Sequence, residues 1–110
     1  MELPNRHLAM IDDAKVRDYL LSTSHPIGHF KAAFFTALGF SAERWQDLQA
    51  AILEHAHTGD ATSGQESPFG TKYEIRAPLR GPSGRTAIVV SIWMIRSDAE
   101  IPSLITAFPG

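Results

Sequence analysis

The sequence predicts an α+β fold: about three N-terminal helices packed on a C-terminal antiparallel meander of three to four strands. Three observations carry that prediction. Apolar residues recur at helical spacing through the first half, as in Val16, Tyr19, Leu20 and then Trp45, Leu48, Ile52, Ala56. From Thr71 onward the pattern changes to period two, with Tyr73, Ile75, Ala77 and Leu79 on one side. Between the halves lies a polar stretch rich in glycine, serine and threonine.

The first ten residues, with "ELPN", read as an irregular or extended lead-in. Asp12 or Asp13 is placed to cap a helix over about 13–22. Pro26 ends it, because the residue before a proline is driven out of the helical region. A second helix is expected over about 27–38, closed by Gly39. Ser41 caps a third, about 42–57, and Glu43 near its start suits the helix dipole. Residues 58–70, "TGDATSGQESPFG", are expected to form a mobile loop.

"TKYEIRAPLR" then reads as a half-solvated strand, with Lys72, Glu74, Arg76 and Arg80 outward. Pro78 favours an edge position. "GPSG" turns the chain, and "RTAIVVSIWMIR", apolar on both faces, is the expected central strand. After "SDAEIP", "SLITAF" closes the meander. No repeat or linker interrupts the chain, so residues 1–110 are expected to be one domain.

Composition narrows the function classes. With 110 residues, 44% hydrophobic and 20% charged, the chain can bury one core and does not resemble a disordered segment. It has no apolar run of membrane-spanning length. "MELPNRHLAM" lacks the pattern of a signal peptide, so a cytoplasmic location is expected. The absence of cysteine excludes disulfides, thiolate nucleophiles and thiolate zinc sites. A formal charge of −2 is not the footprint of a general nucleic-acid binder; an RNA-acting protein of this charge needs a local basic patch.

One stretch concentrates chemistry: "SHPIGHFKAAFFTALGF", Ser24 to Phe40. On a helical wheel, Phe30, Phe34, Phe35, Ala37 and Leu38 share one broad arc, and Lys31 falls inside it. His29, Ala32, Ala33 and Thr36 take the opposite side. Lys31 has two readings. Its methylenes run over apolar surface while its ammonium reaches water, or its ammonium meets a substrate phosphate in a cleft. His25 lies just upstream, held by Pro26. His25 and His29 have a spacing seen in zinc sites, but no third ligand accompanies them, so neither metal nor other cofactor is expected. Lys15 and Tyr19, four apart on the first helix, are placed to flank the same cleft. Ser91 and Trp93 share one face of the central strand, and Thr106 is mid-strand in the last; core packing is the plain alternative for each. Arg76, Arg80, Arg85 and Arg96 suit either a nucleic-acid backbone or a solvated sheet edge. His55 and His57 carry no catalytic pattern.

A set of spaced motifs runs through nearly the whole chain: Leu3-Pro4-Asn5; Lys15 with Tyr19-Leu20-Leu21; His25-Pro26 and Gly28; Lys31-Ala32 and Phe35; Phe69-Gly70 and Tyr73; Trp93; and Pro102, Leu104, Thr106. In this order they resemble a small bacterial family catalogued as a domain of unknown function, whose members resemble toxins. Its helices-then-sheet order is similar to the barnase–EndoU–colicin–RelE group of ribonuclease toxins. The resemblance implies metal-independent cleavage of RNA and a cognate antitoxin or immunity protein as partner. His25 is then the acid or base, Lys31 the phosphate stabiliser, and Lys15 and Thr106 auxiliary groups. Tyr19, Arg76, Arg85 and Trp93 are the corresponding substrate contacts. The competing expectation is a non-enzymatic antitoxin, immunity or adaptor module. It would pair through the sheet edge around Pro78 or through residues 58–70.

Overall fold

The structure, a computed structural model, describes residues 1–26 and 28–110. Three helices precede a four-stranded antiparallel sheet. The helices are α1 (Asp13–Lys15), continued by a π-helical segment (Val16–Leu20), α2 (Gly28–Ala37) and α3 (Trp45–Thr58). The strands are β1 (Ala61–Ser67), β2 (Gly70–Arg80), β3 (Thr86–Arg96) and β4 (Ser103–Pro109), in the spatial order β1-β2-β3-β4. This is the α+β architecture expected from the residue patterns.

The lead-in is more ordered than an irregular segment. Leu3 is buried, a 3-10 turn spans Arg6–Leu8, and Met10 forms a parallel bridge to Ser103. The Met1 ammonium pairs with Asp60, and Ala61 donates its N–H to the Met1 carbonyl at 2.6 Å. Asp12 is the cap of α1, accepting from the Ala14 N–H at 3.0 Å. The expected helix over 13–22 is one α turn that widens at once into a π-helix, closed by Leu21 N–H to Val16 C=O at 3.0 Å. A π turn takes an extra residue per hydrogen bond and so rotates the residues after it. Val16 and Leu20 both reach the core, and Tyr19 is left half-buried at its margin.

The expected start of the second helix at residue 27 lies outside the described residues. The buried stripe of α2 differs from the arc the wheel suggests. Ala32, Phe35 and Leu38 are enclosed, Phe34 and Lys31 are half-buried, and Phe30 is exposed. The reason is tertiary. The helix turns its 32–35–38 line to the core, and Phe30 instead lies against the His29 ring at the surface, centroids 3.9 Å apart. Gly39 closes the helix at φ 100°, a conformation that favours glycine. Ser41 Oγ accepts from the Arg44 N–H at 3.3 Å, and α3 starts at Trp45, three residues later than expected.

Residues 61–67, expected within a mobile loop, form the edge strand β1. Thr62 to Ser67 are all exposed, so there is no burial alternation to reveal it. It is held by backbone pairing to β2, with Ala61 opposite Ile75 and a register shift between Ser63 and Glu66. Pro78 consequently lies on an interior strand rather than an edge. It is tolerated beyond the end of β1, whose pairing stops at Ile75. β3 is central as expected, paired to β2 and β4. On β4 the register shifts between Ile92 and Trp93, leaving Ile105 as a bulge next to Thr106.

The core combines Leu3, Val16, Leu20, Phe35, Leu48, Ile52, Ile75, Val89, Trp93 and Ala107 among others, drawing on the lead-in, every helix and the sheet's inner face. It contains a buried polar chain. The Trp93 indole N–H donates to Ser91 Oγ at 2.9 Å, and Ser91 lies 2.9 Å from His55 Nδ1. His55 Nε2 lies 3.1 Å from the Ala77 carbonyl. A carbonyl only accepts, so Nε2 carries the proton and Nδ1 accepts from Ser91. Each side chain of this network has a hydrogen-bond partner.

Candidate functional site

The cluster is centred on Tyr19. The π segment sets its ring at the junction of α2 with β4, the edge strand. Lys31, in the first turn of α2, donates from Nζ to the Tyr19 hydroxyl at 2.6 Å and lies 4.9 Å from the ring centroid. Lys15, one turn before Tyr19, places its Nζ 5.4 Å from the same centroid. The His25 ring stands edge-on to Tyr19 with centroids 4.9 Å apart. Thr106 Oγ1 lies 3.4 Å from the Tyr19 hydroxyl. All five side chains are half-buried. A recess of about 420 Å³ opens beside Lys15, Tyr19 and His25.

The electrostatics follow from this packing. Desolvation is the largest effect on Tyr19 and raises its phenol. It is outweighed by the hydrogen bonds from Lys31 and Thr106 and the charges of Lys31 and Lys15, and the net position lies below the ordinary tyrosine value. Lys31 spends one of its three N–H donors on Tyr19, which leaves two for an incoming anion. Chemically the cluster offers two cations, an imidazole and a polarised phenol, with Lys15, Tyr19 and His25 lining the recess beside Asp12.

The structure therefore brings together five residues singled out from the sequence: His25, Lys31, Lys15, Thr106 and Tyr19. Arg76, Arg85 and Trp93 lie apart from them. Trp93 is fully enclosed and tied to Ser91, so it is placed as a core residue. Arg76 is exposed on β2, two strands from β4, and Arg85 is exposed in the β2–β3 turn. His29 donates from Nδ1 to the His25 carbonyl at 2.9 Å and so fixes the approach to α2. Among the described residues, no three His, Asp or Glu side chains are grouped to hold a metal ion. No helix among the described residues is long and apolar enough to cross a membrane.

Residue-by-residue reading did not single out Phe69 or Met94 as site candidates. Phe69 is exposed at the β1–β2 turn above a recess of about 470 Å³ that Met94 and Ile105 help to line. The one available signal was an aromatic between a polar stretch and a strand.

The fold and the cluster define a small α+β domain with a cationic, aromatic recess where its helices meet an edge strand. Over residues 2–110 the chain matches the family described as "Domain of unknown function (DUF6883)", and it belongs to that family. No curated protein matches the sequence. Among solved structures, the fold is similar to a chain of the "Contact-dependent growth inhibition toxin - immunity protein complex from Klebsiella pneumoniae 342". The TM-score is 0.71 at 16% identity, covering 94% of this chain and 95% of that one. At that identity the likeness is one of fold.

Proposed function

We propose that this chain is a toxin-like, metal-independent endoribonuclease of a bacterial toxin–antitoxin or polymorphic-toxin system. The observation that carries the reading is the convergence of His25, Lys31, Lys15 and Thr106 on Tyr19. These residues come from separate points of the chain, and core packing alone does not require two lysines around one phenol. The fold likeness to a chain of a toxin–immunity complex supports it.

In this reading the ribose 2′-oxygen attacks the adjacent phosphorus, and the bond to the 5′-oxygen breaks. One group takes the 2′ proton and another returns a proton to the leaving 5′-oxygen. His25, an imidazole at the mouth of the recess, serves as one of these. Lys31, anchored on Tyr19, directs its remaining donors at the phosphorane oxygens, and Lys15 adds charge from the other side. Thr106 orients the Tyr19 hydroxyl, and Tyr19 contacts the substrate. A cognate antitoxin or immunity protein is the expected protein partner.

Incubating the protein with total RNA in EDTA tests this. Wild type should cut, and His25→Ala and Lys31→Ala should each lose about 100-fold or more in rate. RNA left intact by wild type refutes the activity. Cutting that survives in both variants refutes the site.

The alternative, a non-enzymatic partner-binding module, is favoured by one observation: β1 lies at the sheet edge, and Thr62 to Ser67 are all exposed. Of the two expected pairing regions, this reading then favours residues 58–70, which include β1, over the surroundings of Pro78. It predicts a co-purifying protein and intact RNA.

A further inference from the structure

The recess at Tyr19 is not isolated. Asp12 and Lys15 border both it and a neighbouring recess of similar volume. Arg96 and Ile105 carry that second recess into a third, walled by Phe69 and lined by Met94. Phe69 and Met94 border a fourth, which ends at Lys72. Shared lining residues thus set the four recesses in a row, from Tyr19 past β4 to the sheet face that carries Met94.

Phe69 is 78% exposed, which forfeits about 1.5–3 kcal/mol of burial that a core position would supply. Yet its backbone is fixed. Its N–H donates to Ser67 Oγ at 3.2 Å, its carbonyl accepts from the Ser97 N–H at 2.9 Å, and Ser97 Oγ donates to the Pro68 carbonyl at 3.0 Å. A held, outward aromatic is thereby flanked by Arg96 and Lys72, both exposed. Asp12 and Asp98 also border these recesses. Asp12 is turned to its own helix, accepting from Ala14. Cations set along a groove beside an exposed ring are the elements of single-strand recognition: charge tracks the phosphates, and the ring stacks an unpaired base.

We infer that this row of recesses is the substrate channel of the proposed nuclease, with Phe69 stacking an unpaired base and Arg96 and Lys72 meeting the flanking phosphates. The substrate class is then single-stranded RNA rather than duplex. This rests on the ribonuclease reading.

The test separates binding from cleavage. A short single-stranded RNA, 2′-O-methylated so that it cannot be cut and labelled with fluorescein, is titrated by anisotropy. Wild type should bind. Phe69→Ala should weaken binding about tenfold, and Phe69→Trp should restore it. Arg96→Ala, a second exposed position, should also weaken it. A duplex of the same sequence should bind no better than the single strand binds Phe69→Ala. With cleavable RNA, Phe69→Ala should raise KM and leave kcat within about twofold. If wild type cuts RNA while Phe69→Ala and Arg96→Ala bind it equally well, the channel assignment falls and the nuclease reading stands. If wild type neither binds nor cuts RNA, both fall. If Phe69→Ala instead releases a co-purifying protein and leaves RNA binding unchanged, the surface belongs to a protein partner and the inference is overturned.

Discussion

At the residue scale, two polar networks have opposite characters, one half-buried and one enclosed. Around Tyr19 two of the partners are lysines and the recess is open, so the network can exchange a donor with a ligand. Around His55 the partners are neutral, and Ser91 and Trp93 are fully enclosed. The second is structural, and it makes a pH prediction. Desolvation pushes His55 below the ordinary histidine value, only partly opposed by its hydrogen bonds to the backbone at Ala77 and Val89. The folded state then binds fewer protons at this site than the unfolded state. Its contribution to stability is present above about pH 6.5 and is lost as pH falls from there through the lowered folded value. Urea midpoints measured across that window should fall with acidification. His55→Gln should flatten this part of the profile and cost about 1–3 kcal/mol at neutral pH. An unchanged slope in the variant would show that another group titrates.

At the scale of elements, the joint between α2 and the β2–β3 turn is the most constrained. Ser83 donates from both its N–H and its hydroxyl to the Leu38 carbonyl, at 3.1 and 2.8 Å. Gly39 approaches so closely that an added Cβ would meet the Ser83 nitrogen at 2.5 Å, in a backbone conformation at φ 100°. Gly39→Ala should therefore destabilise the protein by about 1–3 kcal/mol in chemical denaturation, through strain and the loss of this joint. A neutral effect would mean that the turn moves away freely. The π segment is the other decisive element. It lets Val16 and Leu20 share the core and still brings Tyr19 to Lys31. A continuous α-helix would turn the residues after Val16 differently.

At the scale of the whole molecule, the core joins residues from the lead-in to β4 without a division. The proposal that residues 1–110 are a single domain predicts one cooperative unfolding transition. Trp93 and Trp45 fluorescence and far-UV circular dichroism should give coincident denaturation curves. Separate midpoints would divide the chain. The net charge of −2 is also a property of the whole. In the proposed ribonuclease reading it would confine RNA binding to local cations such as Lys15, Lys31, Arg96 and Lys72, and so to a groove rather than a broad basic face.

Much was legible in the chain because it is written locally. The Asp12 cap, the Gly39 stop, the α3 stripe of Leu48, Ile52 and Ala56, and the alternation of β2 depend on each residue's own geometry and its near neighbours. So does the pairing of Lys15 with Tyr19, four residues apart. The nearness of His25, Lys31 and Thr106 to that pair was an expectation, but their common focus on the Tyr19 ring was not, because it needs the π turn and the β4 bulge together. β1 was illegible because an edge strand of exposed polar residues is specified by the strand it pairs with. Phe30 and Trp93 show the same limit from opposite sides: one phenylalanine stays out of the core and one candidate contact is locked into it. Local patterns were enough to set the helices-then-sheet order, the strands β2 to β4 and the residue types of the site. Which residues meet was settled in three dimensions, because long-range pairing and the rotation of α2 act between segments that no local pattern connects.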